Sequence, residues 1–575
     1  MKTIKDSTES TQQKPLRLWP GFIIVVLLWM IRFVIPAIAP DMTAIGILGG
    51  LVGGLAIVIW WAFFSRAPRI ERWLAIALSI MSLSATSHFI DRSISHSLMG
   101  MMFAIYSIPV ISLAFVVWAV TTRHLSNKVR RLSMIVTILI ASGFWVLIRT
   151  NGMDGEARHD FAWRWAKTSE KRLLEKGNIQ STKVPLDSAT VVKEAEWPGF
   201  QGPDRNGIIH GVRIGTDWTK FPPVEMWRQS VGPACSSMSI HGSLLYTQEQ
   251  RGEFEMVTCY NLNTGQLVWS HRDSTRFWDA HAGAGPRSTP TISKGRVYTL
   301  GATGILNVLD EMKGTVIWSR NAAKDTKVNI PVWGYACSPL VTDSVVIVAI
   351  SGQLLAYDLA SGSKRWSGTN GGESYSSPQL FTINGVRQVL FMNKAGATSF
   401  DPVSGKELWK LPLHDTQIIQ PYQISESDFL LSTGYIKGMK RVTIKNGPNG
   451  WSTEERWSSG ELVQNFNDYV VFKGHIYGFE GPYLACFDLD KGNKTWKGGR
   501  YTGELILLAD QDLLLILSEK GDVALVKATP EQFTELGRVP AIKGRCWNHP
   551  ALAGHILVVR NSQEMAAFRL PVSDN

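Results

Sequence analysis

Six tryptophans at positions 269, 318, 366, 409, 457 and 496 recur every 39 to 49 residues, and this spacing constrains the fold more than any other feature of the chain. Five of them close a shared segment: YNLNTGQLVW (260–269), LDEMKGTVIW (309–318), YDLASGSKRW (357–366), FDPVSGKELW (400–409) and FDLDKGNKTW (487–496). In each, an aromatic or aliphatic residue precedes Asp or Asn, glycine follows five residues after the start, and Trp lies four further on. Trp457 follows a longer Gly-rich turn in the same phase. Asp or Asn with Gly closes a tight hairpin because both tolerate left-handed backbone. The flanking β-branched and aromatic residues supply two antiparallel strands. The closing Trp offers a flat apolar face that can wedge between sheets, with an indole N–H that needs a partner. A period of this length with about four strands per unit is the mark of a radial propeller.

The units also open alike, with small polar residues leading into an apolar strand: GPACSSMSI (232–240), GPRSTPTI (285–292), YACSPLV (335–341), YSSPQL (375–380) and NHPAL (548–552). Such residues suit the crowded axis of a ring. The openings place eight blades near 232–273, 285–323, 332–371, 374–413, 419–460, 463–501, 503–542 and 544–572. The last is too short for four strands, so Val224–Val231 is expected to complete it and close the ring without an exposed sheet edge. The seventh and eighth lack the closing Trp.

The first quarter of the chain has another character. Apolar stretches near 18–38, 43–64, 72–90, 98–120 and 132–148 approach or exceed the ~17–25 residues that cross a hydrocarbon core. The expectation is an all-α bundle of about five transmembrane helices over 18–149, after a cytoplasmic tail (1–17). Eleven Lys and Arg lie in the tail and two alternate loops, whereas the other loops hold only Arg92. By the positive-inside rule the N-terminus is cytoplasmic. Five crossings then put all that follows Arg149 outside a bacterial inner membrane, with the propeller periplasmic or extracellular. The net charge of +11 comes mainly from here: residues 1–149 carry 14 Lys and Arg against 5 acids, and the rest is nearly neutral. A nucleic-acid partner is therefore not expected.

Glycines at 46, 50 and 54 form a close-packing row, either within the bundle or between copies in a homo-oligomer. Arg32 and His88 are ionisable groups inside or near the spans. Residues 150–196 read as a connector, with an amphipathic helix over 161–176 carrying Trp163 and Trp165, and a linker over 177–192. The propeller domain occupies 197–575.

The opening WPGFQGPDRNG (197–207) and the runs YTQEQRGEFEMVTCYNLNTGQLVW and GPRSTPTISKGRVYTLGATGILNVLD resemble the PQQ-like β-propeller repeat family, also called the quinoprotein alcohol dehydrogenase-like superfamily. The likeness is to its membrane-anchored bacterial members and covers about residues 195–572. It implies an eight-bladed all-β propeller and two functional alternatives. One is a PQQ-dependent membrane dehydrogenase that oxidises sugars or alcohols with PQQ and calcium and passes electrons to quinone. The other is a non-catalytic platform for an envelope protein or polymer.

The residues favour the platform. Enzymatic relatives commonly carry an adjacent Cys–Cys disulfide, whereas Cys235, Cys259, Cys337, Cys486 and Cys546 are all separate. Blades of 39 to 50 residues leave little room for their insertions. Asp310, Asp358, Asp401 and Asp488 belong to the repeating turn, so no calcium cage can be assembled and no metal or cofactor is expected. No CxxCH for c-type haem is present. If a ligand site exists, the blade openings supply Arg287, Trp333, Tyr335, Tyr375, Tyr422, Trp547, Asn548 and His549, an aromatic set with one Arg suited to an anionic or sugar-like ligand. Free thiols are favoured over a Cys235–Cys546 bridge.

Overall fold

A computed structural model describes residues 16–39, 42–176, 194–414, 418–433, 438–462 and 466–572. The chain divides into two units, Met1–Ala166 and Lys167–Asn575.

In the first unit, four described helices are long and apolar enough to cross a membrane: Trp19–Ile38, Thr43–Phe64, Met102–Thr121 and Asn127–Val146. A fifth, Arg69–Ser87, corresponds to the third expected span but opens with Arg69, Glu71 and Arg72. Glu71 is completely buried and paired with Arg130 at 2.5 Å and Arg131 at 3.5 Å. The odd parity expected from the sequence therefore depends on this helix, which is not among the four long and apolar enough to cross. The span expected to begin at 98 begins at Met102, because Leu98 and Met99 are left-handed.

The glycine row is used inside this chain. A Cβ at Gly46 would lie 2.6 Å from Pro36, one at Gly50 3.1 Å from Arg32, and one at Gly54 2.2 Å from Ile108. All three glycines are buried, so they offer no open face to a second copy. Arg32 is buried with its guanidinium 4.6 Å from the Tyr106 ring, whereas His88 is exposed at a helix end.

The expected helix over 161–176 is shorter than the pattern suggested. Ile148–Met153 and His159–Trp163 form a hairpin, and only Ser169–Glu175 is helical, capped by the Thr168 hydroxyl. The aromatic and β-branched residues before 164 pair as strands. Trp163 and Trp165 are exposed and stacked at 5.1 Å. The expected linker lies outside the described residues.

The second unit is an eight-bladed propeller. Seven blades run in chain order as antiparallel meanders from Ser239–His241 to Glu535–Pro540. The eighth joins Ala551–Ala553, Ile556–Arg560 and Glu564–Arg569 to Val224–Ser230, with Ala567 opposite Trp227. Thus a strand that precedes the first blade in the chain completes the last one. Across this seam Arg560, fully buried, donates to the Thr247 hydroxyl, to the Gln248 carbonyl at 2.9 Å and to the Gly232 carbonyl at 3.1 Å.

The repeat has a mechanical basis. Trp269, Trp318, Trp366, Trp457 and Trp496 each donate the indole N–H to a backbone carbonyl of the following blade, on Glu311, Leu359, Pro402, Leu489 and Thr529, at 2.8–3.1 Å. For the first four, the glycine of that blade's turn lies against the ring. A Cβ on Gly314, Gly362, Gly405 or Gly492 would fall 2.3–2.9 Å from it, and each has a positive φ.

Trp227 does the same against Leu262 and Gly265, so the eighth blade has its tryptophan after all, on the strand that closes the ring. Trp409 differs because the next blade has a long hairpin without the Asp–Gly turn; it donates to Gln388 of its own blade at 2.8 Å. In the seventh blade Gly537 occupies the tryptophan position, and Trp218 from the preceding segment packs on it.

Candidate functional site

Antiparallel meanders put the links between blades at one end of the ring and the Asp–Gly turns at the other. The two ends differ chemically.

At the turn end, the segment 197–209 crosses the axis. Trp197 bridges to Ile240 of the first blade, and Ile208–Ile209 pair in parallel with Leu507–Leu508 of the seventh. Between them Arg205 donates to the carbonyls of Ser338 and Pro339 in the third blade, at 3.3 and 3.1 Å, and to Gln379 in the fourth at 3.2 Å. Burial pulls its guanidinium pKa down to about 10. This plug ties blades on opposite sides of the ring. A cavity of about 250 Å³ remains beside it, lined in part by Gln201, Arg205, Gln420, Tyr422 and Asp468.

At the other end, Trp333 is the centre of an aromatic cluster. Its ring lies 4.8 Å from Tyr375, 5.7 Å from Phe466 and 6.3 Å from His281. Ile330, Val332 and Phe466 are 47%, 68% and 52% exposed. The Tyr375 hydroxyl donates to Glu373 at 2.6 Å; burial and this carboxylate raise its pKa.

Arg287 sits beneath and has no donor to offer. It is ion-paired with Asp279 and donates to the carbonyls of Gly283, Ala284, Gly285 and Trp333. A guanidinium has five N–H donors, and five acceptors surround this one. To hold an anionic ligand, as expected from the sequence, it would have to give up one of these bonds. Trp547 donates to Glu519 at 2.6 Å, with Arg545 4.1 Å above its ring. Burial lowers the Arg545 pKa.

The other expected residues separate. Tyr335 is fully buried and bonded to the Val328 carbonyl, and it separates from Trp333 because Gly334 between them has a left-handed backbone (φ +78°) in the link before strand pairing begins. Tyr422 lines the plug cavity. Asn548 is buried and donates to the Ser236 carbonyl at 2.6 Å. All five cysteines are free, and burial pushes the thiols of Cys337 and Cys546 up to about 12.

His549 belongs to a third place, inside the channel. At the start of each inner strand, side-chain acceptors receive backbone N–H groups of the preceding blade. Ser237 N–H donates to Thr289, Thr289 to Ser338, Ser338 to Ser377, and Ser377 to Gln420, at 2.9–3.2 Å. Glu504 likewise accepts from the Asp468 N–H.

Where five blades carry Ser, Thr or Gln, the sixth, seventh and eighth carry Asp468, Glu504 and His549. The His549 Nε2 is 3.1 Å from Asp468 Oδ2 and 3.2 Å from Glu504 Oε2. Burial raises the Glu504 pKa to about 7. Burial opposes the charged form of His549, but the two carboxylates outweigh it and raise its pKa. Phe200 of the plug packs edge-on against His549 at 4.9 Å. Sequence reasoning found His549 and missed its two partners. Aligning the blade openings position by position carries the signal, since three consecutive blades replace neutral residues with titratable ones.

A profile of the family described as outer membrane protein assembly factor BamB matches residues 253–569. The BamB of Shewanella oneidensis is 25% identical over 286 residues, 40% of this chain and 69% of that protein. Quinohemoprotein alcohol dehydrogenase ADH-IIG of Pseudomonas putida is 24% identical over 185 residues; the match spans 29% of this chain and only 24% of the dehydrogenase. Among solved structures, BamB from Moraxella catarrhalis aligns with a TM-score of 0.44 and 14% identity, over 61% of this chain and 99% of that one.

Proposed function

Because this chain belongs to the family described as outer membrane protein assembly factor BamB, we propose that it is a membrane-tethered, non-catalytic propeller serving as a binding platform in the cell envelope. Its apolar helices anchor it in the bilayer of the bacterial inner membrane, with the propeller on the outer side. The observation that carries this reading is the mouth around Trp333. There, Ile330, Val332 and Phe466 are exposed, while the Arg287 guanidinium is occupied from within. Exposed apolar side chains around an aromatic cluster, with the Arg287 guanidinium already engaged, suit a protein partner with an apolar anchor.

PQQ with calcium is the alternative, and the donor set at this mouth does not fit it. Of the Asp279 oxygens, one is paired with Arg287 and the other accepts from the N–H groups of His281 and Ala282. Glu373 is engaged by Tyr375, and no adjacent cysteines exist to grip a cofactor. A cation here would have to displace these bonds.

Two experiments test the reading. A photo-crosslinking residue at Val332 should capture a discrete envelope protein in cells, whereas one at Val403, an exposed turn residue of the fourth blade, should not. Purified protein incubated with PQQ and calcium should reduce no dye with glucose, ethanol or other polyols. Stoichiometric PQQ binding with substrate-dependent turnover would restore the dehydrogenase. Orientation is checked by a reporter active only outside the cytoplasm, which should work when fused at the C-terminus.

A further inference from the structure

We propose that Asp468, Glu504 and His549 bind one divalent transition-metal ion inside the propeller channel, with an open coordination position toward the plug cavity. This departs from the expectation of no metal drawn from the sequence.

The ligand atoms come from three consecutive blades and lie within 4.8 Å of one another. A tetrahedral ion with bonds of about 2.0–2.1 Å separates its ligands by roughly 3.3 Å. The measured His549–Asp468 and His549–Glu504 separations of 3.1 and 3.2 Å need only slight adjustment to reach that. One imidazole with two carboxylates is a donor set for zinc, manganese or iron, whereas calcium and magnesium favour all-oxygen sites.

Hydrogen bonding and charge both point to an ion. The residues are 6–9% exposed. Glu504 Oε2 has no hydrogen-bond donor although it faces His549, and His549 Nδ1 is also unpartnered. A buried carboxylate oxygen without a donor is costly. Two carboxylates face a single imidazole, which as imidazolium offsets only one of them when both are ionised. Among the described residues no Lys or Arg pairs with either carboxylate. A dication bound by neutral histidine cancels both charges.

Asp468 also lines the cavity of about 250 Å³ beside the plug, which gives an ion an approach and leaves space for water at the fourth position. Three protein ligands with one open position is the arrangement of exchangeable or reactive metal sites rather than closed structural ones.

The test uses the full-length chain in detergent, carrying no polyhistidine tag and stripped with chelator. Titration with zinc chloride and, separately, cobalt chloride should show one equivalent bound. Cobalt should add visible d–d absorption of a low-coordinate site. Glu504→Gln and Asp468→Asn keep side-chain shape and should each weaken binding at least 100-fold, with unchanged circular dichroism. Zinc should raise the melting temperature of the unmodified protein but not of these variants. Absence of a one-equivalent site for either metal would overturn the proposal. So would binding that survives both substitutions, or loss of binding that accompanies loss of the folded propeller while His549→Gln folds and still binds. The crosslinking result at Val332 is independent of this outcome.

Discussion

Removing the Trp318 ring should make Gly362 replaceable. Trp318 is buried, donates to the Leu359 carbonyl at 3.0 Å, and rests on Gly362 of the following blade. Trp318→Ala removes the ring and strands that carbonyl, for about 3–5 kcal/mol. Gly362→Ala incurs two separate costs. Its φ of +66° charges an L-residue ~1–2 kcal/mol, and the new Cβ would sit 2.6 Å from Trp318 Cδ2, an overpacking cost of about 1–3 kcal/mol. In the Trp318→Ala background the second cost vanishes and only the backbone strain remains. The double-mutant cycle should therefore show ~1–3 kcal/mol of coupling, the double variant being more stable than the sum of the singles.

Urea unfolding of the full-length protein in detergent, followed by tryptophan fluorescence, measures this; the chain has 22 tryptophans, so losing one leaves ample signal. Gly447→Ala is the control, since a Cβ there meets nothing within 4 Å, and should change stability by less than about 0.5 kcal/mol. Coupling below about 0.5 kcal/mol, the range of ordinary additivity, would refute the wedge as the origin of the Trp–Gly repeat.

Two further outcomes follow from buried charge. Arg560→Met should destabilise the propeller by about 3 kcal/mol or more, because its charge-assisted bonds to Thr247, Gln248 and Gly232 hold the eighth blade to the first. Limited proteolysis should then release the 224–230 strand or the C-terminal blade first; cleavage spread evenly over all blades would contradict a seam role. Glu255 is buried, and burial raises its pKa to about 7 from the ordinary 4.5. The native state therefore holds a proton that the unfolded chain releases between those values. This contribution to stability is complete below about pH 4.5 and lost as the pH rises toward 7. Glu255→Gln should flatten that decline in urea midpoints between pH 5 and 8; an unchanged slope would show that Glu255 does not cause it.

The repeating turn was legible in the chain because the hairpin and its tryptophan are local. Asp or Asn, Gly and Trp sit within ten residues, and the chemistry of that stretch already implies a ring of blades. The closing strand Val224–Ser230 was legible too, since a blade one strand short must find an edge elsewhere. Less was visible in the links between blades. Trp333 and Tyr335 lie two positions apart, yet only the first faces the funnel, because the chain between blades twists before strand pairing begins.

The number of blades, their order and the residues that wedge them can be read from the chain alone, because each rests on contacts between near neighbours or between one blade and the next. What meets on the axis cannot. Asp468, Glu504 and His549 are separated by 36 and 45 positions, and the plug Arg205 lies more than 130 residues from the carbonyls it bonds. Closing the ring brings equivalent positions of successive blades to one radius. The charges that then face one another belong to no local pattern, and they become neighbours only when the sixth, seventh and eighth blades stack around the axis.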